Sequence, residues 1–574
     1  MSAATRTPGA PPAPGGSTPG SSSLPDVPEA ARGRWAGFAA LAGGLAMIVL
    51  DGTVVSVTTP AMVDDLGLTL SDAQWVASGY AVAFAALLLT TGRLGDRHGR
   101  RLLFVLGVST FAAASFLVAM AQDPAALVAA RIVQGVGGAL VLPSTLSTVN
   151  ATFRGRDRAV AFGLWGAVMA GAAAIGPLLG GWLATSFDWR WVFLINLPQA
   201  AVVLALAVRF VPETRGEGGA GFDVGGLVLS VVGLGSLVFG LIEAPVLGWF
   251  RPRQDVEFLG TTWSGTGPVS IAFVALAVGA LATAGLFAVE LRRGRRGRAV
   301  VLDLALFSVP TFAWGNLTAA MVAVGEFALL FVLPLYLVYA GRLSLLQTGW
   351  VLAAMAGGAF VAGARARSLA HRFGPPRVVT LGLALELAAT LVAAWAMPAG
   401  PPVWLLAALL AVYGLGLGLA SAQLTSTVLR DVPVERSGAA AATQSTVRQL
   451  GSAFGAALAG TILAIGFAIT VPQRLALVDG VSPDDALTMI DYMTGTAGAV
   501  ISWILAKGTD GYFGDLGPRV ADQLSIAFAQ SASVVLWAAA GFLFLGLAGA
   551  LRVERASRQV RAAADVDGAV AGIP

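Results

Sequence analysis

Long apolar runs joined by short connections set the pattern of this chain. Fourteen runs reach spanning length, the first from Trp35 to Thr59 and the last from Ala529 to Leu551. A hydrocarbon core about 30 Å thick takes about 20 apolar residues in a helix. Backbone groups in lipid must find their partners within the segment, so runs of this length predict helices. The fold class is an all-α membrane protein.

The connections carry the second signal. Alternate ones hold the arginines, as in Arg93, Arg97, Arg100 and Arg101, or Arg292, Arg293, Arg295 and Arg296, and the set between is acidic or nearly neutral, as with Asp64, Asp65 and Asp72. The positive-inside rule then places both termini in the cytoplasm and makes the protein a multi-pass protein of the cell membrane. Val471 to Phe528 fits the outer face, with three basic residues against seven acidic ones. Its apolar middle, Ala486 to Leu505, is read as an extracellular helix or interfacial hairpin, because a fifteenth span would put the arginine-rich C-terminus outside.

Composition agrees. Of 574 residues 56% are hydrophobic and 12% charged, with mean hydropathy +0.78, whereas about a quarter of residues are charged in soluble domains. Arginines confined to short loops argue against nucleic-acid binding. No cysteine is present and only His98 and His371, which removes disulfides and makes a metal site improbable. Residues 1–31, rich in Pro, Gly, Ala and Ser, are expected to form a disordered cytoplasmic tail. They lack the basic start and short apolar stretch of a signal peptide.

Against this background a few polar residues inside the spans stand out. Asp51, in IVLDGTVVSVTTP, lies about 24 Å from the start of its run and about 12 Å from its end at 1.5 Å per residue, too deep to snorkel. A carboxyl there faces a bundle interior or an aqueous cavity, and low dielectric favours its neutral form, so Asp51 is a candidate proton site. Arg131, in LVAARIVQGVGGA, sits at a similar depth and is positioned to pair with it, and Gln134 one turn on extends the polar stripe. Glu326 is near the middle of the ninth run. Glu386 is also near mid-membrane, where a structural hydrogen bond is expected, and Glu243 and Glu290 near run ends are read as solvated. Trp165, Trp191, Phe327 and Phe331 are candidate walls of an apolar cavity, although aromatics more often serve packing or interfacial anchoring.

The connection after the second run reads GRLGDRHGRR, from Gly92 to Arg101. It resembles the G-x-x-x-D-R-x-G-R-R loop of the major facilitator superfamily, matching at Gly92, Asp96, Arg97, Gly99, Arg100 and Arg101. The resemblance implies an inner-face latch whose ion pairs are remade as two halves rock. RSLAHRFG, Arg367 to Gly374, repeats it faintly after the tenth run. Two six-helix pseudo-repeats plus two inserted helices then account for fourteen transmembrane helices: 32–215 and 299–555 as the halves, 216–298 as the insert, 471–528 as a long extracellular loop, and 556–574 as a cytoplasmic tail.

The fifth run resembles the antiporter motif of the superfamily's exporters, with Gly163, Gly176, Pro177, Gly180 and Gly181 in place and Ala172 for its second glycine. LDGTVVSVTTP, DWRWVFLINLP and STVRQLGSAFG narrow the resemblance to the fourteen-helix drug:proton antiporters of the EmrB/QacA type. That resemblance implies a proton-coupled multidrug or antibiotic efflux antiporter that moves amphipathic or cationic drug-like compounds. It implies no cofactor and no catalytic site, a proton gradient as energy source, and a monomer embedded in membrane lipid. Asp51, Arg131 and Glu326 would couple protons, and Asp51, Gln134, Glu326 and Phe327 would face substrate. A dedicated exporter of one endogenous metabolite, lipid or amino acid shares every motif, and a non-transporting sensor or scaffold is the alternative from another class. No G-x-x-x-x-G-K-[ST] loop is present to support nucleotide-driven transport.

Overall fold

The computed structural model describes residues 29–215, 223–258, 261–296, 300, 302–433 and 436–571. Residues 1–28, the bulk of the expected tail, lie outside them. Helices dominate in the order α1 (Glu29–Leu66), α2 (Leu70–His98), α3 (Arg100–Ala119), α4 (Pro124–Thr152), α5 (Gly155–Ser186), the short α6 (Trp191–Leu194) and α7 (Asn196–Phe210). The insert contributes α8 (Val224–Leu247) and α9 (Ile271–Arg295), joined by a small hairpin of β1 (Val256–Phe258) and β2 (Thr261–Trp263). The chain continues as α10 (Pro310–Leu335), α11 (Leu345–Phe373), α12 (Pro375–Ala396), α13 (Val403–Val428), α14 (Ser437–Leu475), α15 (Pro483–Gly495), α16 (Val500–Lys507) and α17 (Gly517–Ala571).

Among the described residues thirteen helices are long and apolar enough to span, and α2, bent by 51° between Leu88 and Thr90, supplies a fourteenth. The apolar stretch Ala486–Leu505 divides into α15 and α16, bent by 116°. At 1.5 Å per residue neither approaches the width of a bilayer. Much of the expected 471–528 loop is nonetheless helical. The transmembrane helix α17 starts at Gly517 because Val520, Ala521, Leu524, Ala527 and Phe528 form a fully buried stripe that packs into the main core. Helix α1 likewise runs through Pro60, beyond the Thr59 boundary, since Met62 and Val63 are buried there. The C-terminal segment expected as a tail continues α17 to Ala571.

Two six-helix halves share one packing scheme. In the first, α1 packs on α5 and α7, α4 on α2 and α3, and α3 on α7; in the second, α10 packs on α14 and α17, α13 on α11 and α12, and α12 on α17. Glycines enforce the match. A Cβ on Gly135 would strike the Tyr80 carbonyl on α2, and one on Gly137 would reach Gly107 and Phe111 on α3. In α13, Gly414 and Gly418 face α11 while Gly416 faces Gly382 and Glu386 on α12. Small residues let backbones approach closely where lipid gives no hydrophobic drive to associate. The inserted α8 and α9 pack on each other, and α8 lies against α2 and α14.

The halves meet at the end opposite the arginine-rich loops. There one apolar core runs through both, from Val54, Val57 and Leu127 to Leu333, Leu463 and Leu536. At the arginine-rich end each half keeps its own clusters, around Phe104 and Phe153 in the first half and around Phe312 and Val378 in the second. Side-chain hydrogen bonds repeat this asymmetry. Gln74 donates to the Ala457 carbonyl at 2.6 Å, Ser78 to the Ala453 carbonyl at 3.0 Å, and the Tyr339 hydroxyl to the Pro60 carbonyl and to Asp64, both at 3.0 Å.

Candidate proton and substrate site

Helix α4 begins with a complete stop-and-start signal: Asp123 accepts from the Ala126 amide at 2.8 Å and Pro124 occupies the first turn. Arg131 and Gln134, three residues apart, therefore project from one face. That face meets Asp51 on α1. Arg131 Nη1 donates to Asp51 Oδ2 at 2.6 Å and Gln134 Nε2 to Asp51 Oδ1 at 2.8 Å, so each carboxylate oxygen has a donor. Asp51 is 1% exposed and Arg131 2%.

Five further residues complete the cluster. Asn196, placed by the break between α6 and α7, donates to Asp51 Oδ1 at 3.4 Å and to Ser115 Oγ at 3.2 Å, and Gln134 also donates to Ser115 at 2.9 Å. The Arg131 guanidinium lies 4.5 Å from the Tyr80 ring centroid and 5.9 Å from that of Phe193, and its Nε donates to the Val76 carbonyl at 3.2 Å. One carboxylate thus gathers five helices, α1, α2, α3, α4 and α7, at a single point. Asn196 was legible within DWRWVFLINLP, but Ser115 and Tyr80 have no signal beyond being polar in apolar runs.

Sequence analysis also assigned Asp51 and Gln134 to a substrate cavity. In this conformation the structure seals both inside the first half, because Arg131, Asn196 and Ser115 already use their polar atoms. Glu326 sits elsewhere. It is buried on α10 with Arg448 of α14 at 3.6 Å, and Arg448 is 48% exposed at its side chain. Phe327 lies beside it, close to Gly455 of α14. Arg448 was legible only as part of STVRQLGSAFG.

Of the candidate cavity aromatics, Phe331 is buried in the main core and Trp191 is exposed against Phe187. The other acids depart from expectation as well. Glu290 is buried, and Glu243 accepts from Ser71 at 2.6 Å and Trp75 at 2.8 Å, so neither is a solvated run-end acid. In place of a structural hydrogen bond, both carboxyl oxygens of Glu386 are buried without a hydrogen-bond partner among the described residues.

The arginine-rich loop folds on its own half. Asp96 accepts from Arg100 at 2.8 and 2.9 Å, and Arg100 also donates to the Ser147 carbonyl at 3.2 Å. Gly99 has φ +119°, and a Cβ there would strike the Glu213 carboxylate, which instead accepts from the Arg101 amide at 3.1 Å. Gly92 lies over Pro143, and Arg97 is exposed. In α5, a Cβ on Gly176 would collide with Thr53, one on Gly180 with Val54, and one on Gly181 with the Leu345 carbonyl of α11. Across that last contact, Gly349 makes room for the carbonyl of Pro177. The glycines therefore bring α5 against α1 and α11 together. The surroundings of Gly163 lie outside the described residues.

Residues 40–456 match the sequence pattern of the Major Facilitator Superfamily. The chain belongs to this superfamily. It is 35% identical to a probable actinorhodin transporter of Streptomyces coelicolor, over 78% of this chain and 75% of the relative. It is 32% identical to the tetracenomycin C resistance and export protein of Streptomyces glaucescens, over 89% and 92%, and 30% identical to the multidrug efflux pump LfrA of Mycolicibacterium smegmatis, over 83% and 89%. Among solved structures, a bacterial homolog of the human lysosomal transporter Spinster, crystallised inward-facing and occupied, superposes with a TM-score of 0.59 at 15% identity, covering 90% of this chain and 96% of that one. Superfamily membership and a fold of two six-helix repeats plus two inserted helices agree with the sequence reading.

Proposed function

We propose that this protein exports amphipathic or cationic drug-like compounds across the cell membrane in exchange for protons, with Asp51 as the principal proton site. The observation that carries this reading is the Asp51 cluster: an ion pair held inside the bilayer by five helices, at a cost that a scaffold has no use for. The names of the relatives support drug efflux as the class of transport. The chain acts without an enzymatic step or cofactor, as a monomer in lipid, with both termini in the cytoplasm.

With the arginine-rich end cytoplasmic, a molecule sealed at the other end is inward-facing. The intact Asp51–Arg131 pair then represents the state after the proton has left. Protonating Asp51 from outside removes the charge that Arg131 is bound to. Leaving one member of a buried pair uncompensated costs about 3–5 kcal/mol, of the same order as the roughly 5.5 kcal/mol that moves a two-state equilibrium from 1:99 to 99:1. One proton is thus sufficient to drive most of the switch. Because Asp51 is enclosed, coupling runs through the packing of α1 and α4, while a cationic substrate meets Glu326 and Phe327 at the half-exposed Arg448. The loop from Gly92 to Arg101 is the inner latch, open here, and Gly176, Gly180 and Gly181 form the outer seam.

A second reading, a dedicated exporter of one compound, is favoured by relatives named for single substances, actinorhodin and tetracenomycin C. Purified protein in proteoliposomes, given an inward proton gradient and a panel of cationic dyes and antibiotics, tests both. Proton flux with several panel members is the expected result; flux with one alone selects the dedicated exporter, and flux with none defeats both.

A further inference from the structure

The repeat exposes a residue that packing does not explain. On α3, Gly107, Phe111 and Ser115 face α4; on α12, Gly382, Glu386 and Thr390 face α13, and one constant offset along the chain relates the two sets. The local contacts agree. Gly137 of α4 lies over Gly107 and Phe111 as Gly416 of α13 lies over Gly382 and Glu386. Ser115 donates to the Phe111 carbonyl at 2.8 Å, and Thr390 donates to the Glu386 carbonyl at 2.8 Å. Phe111 and Glu386 therefore occupy the same seat in the two halves, and a phenyl ring fills it in one. An acid is not required there for packing.

Glu386 is 0% exposed, and both its oxygens are without hydrogen-bond partners among the described residues. Gly416 closes on it so tightly that a Cβ would approach its Cγ at 2.8 Å, leaving no room for a solvated carboxylate on that side. The charged groups within electrostatic reach are Glu326 from α10 and Arg448 from α14, and α13 adds the Tyr413 hydroxyl, itself buried without a partner. Arg448 is already paired with Glu326. A carboxylate left without counter-ion or donor in such a place is far less stable than the neutral acid.

From this geometry we propose that Glu386 is a second proton-binding carboxyl, loaded in the conformation seen here and unloaded during the cycle, with Glu326 and Arg448 as its switch. When a cation neutralises Glu326, Arg448 is freed to serve the deeper acid. The Glu386 O–H bond then breaks, its proton passes to water entering from the arginine-rich end, and the carboxylate keeps Arg448 as counter-ion. The unloading step rests on the export reading above; the loaded state does not.

Infrared spectra of the purified full-length protein in lipid at neutral pH test the loaded state. The stretch of a protonated carboxyl should be present in the wild type and in Asp51→Asn, and lost in Glu386→Gln, whose amide has the shape of the neutral acid. Glu386→Asp should restore it at a shifted frequency, which keeps the test decisive if the glutamine variant folds poorly. A Glu386→Gln spectrum that superposes on the wild type overturns the proposal. In proteoliposomes exchanging ethidium for protons, Glu386→Gln should lower the protons moved per ethidium by one, and an unchanged count overturns the unloading step. If the wild type exchanges no protons for any compound, the export reading fails while the infrared band still decides Glu386.

Discussion

Tyr339 offers the most direct handle on the outer seal. Its hydroxyl makes two of the four hydrogen bonds described above between the halves, to the Pro60 carbonyl and to Asp64, each at 3.0 Å and beneath a residue that is itself buried. Tyr339→Phe keeps the ring and its packing but removes the one O–H donor that the Pro60 carbonyl and Asp64 share. A hydrogen bond to a charged group contributes about 1.5–3 kcal/mol net, so the sealed state should lose about 1.5–3 kcal/mol relative to the open one. At 1.4 kcal/mol per factor of ten, even the lower figure raises the outward-open population roughly tenfold. The chain has no cysteine, so a single Leu345→Cys at the seam is the only thiol to follow. Its maleimide labelling from outside should speed up by about tenfold or more when Tyr339→Phe is added. A rate within a factor of about two of the parent would refute the assignment of this contact to the seal.

Two other changes probe the remaining machinery. Asp96→Asn removes the negative charge behind both Arg100 bonds and leaves a neutral amide oxygen, and because Asp96 is 44% exposed the loss in stability should be at most about 1 kcal/mol; turnover should fall several-fold while KM stays within about a factor of two. A change confined to KM contradicts the latch. Gly180→Val places a Cβ 2.8 Å from Val54 Cγ1 and 3.1 Å from the Val54 carbonyl, and overpacking of this kind costs about 1–3 kcal/mol. Uphill export should drop through proton leak, measured as faster collapse of an imposed pH gradient, whereas an unchanged gradient lifetime removes the seam from the account.

Much of the fold was legible because lipid imposes a strong constraint: apolar runs of spanning length became helices, and the repeat of two sixes matches the packing of α1 to α7 on that of α10 to α17. The Asp51–Arg131–Gln134 group was legible for the same reason, since polar atoms at that depth must find one another. What escaped is set by tertiary packing. The early start of α17 depends on a stripe from Val520 to Phe528 meeting a core that sequence does not reveal. Enclosure of Asp51 depends on Asn196 and Ser115 arriving from α7 and α3, which no single-segment pattern encodes. Glu386 was misjudged because a buried acid ordinarily finds a donor, and only its three-dimensional surroundings show that the described residues offer none.

The account turns on one proton cycling through Asp51. Asp51→Asn retains an acceptor oxygen for Arg131 but has no proton to release, and its integrity can be checked by an unchanged elution profile. With an outward proton gradient (acidic lumen) imposed on proteoliposomes, wild-type protein should accumulate ethidium in the lumen against its gradient while Asp51→Asn equilibrates it and goes no further. Full uphill accumulation by Asp51→Asn would contradict the central claim.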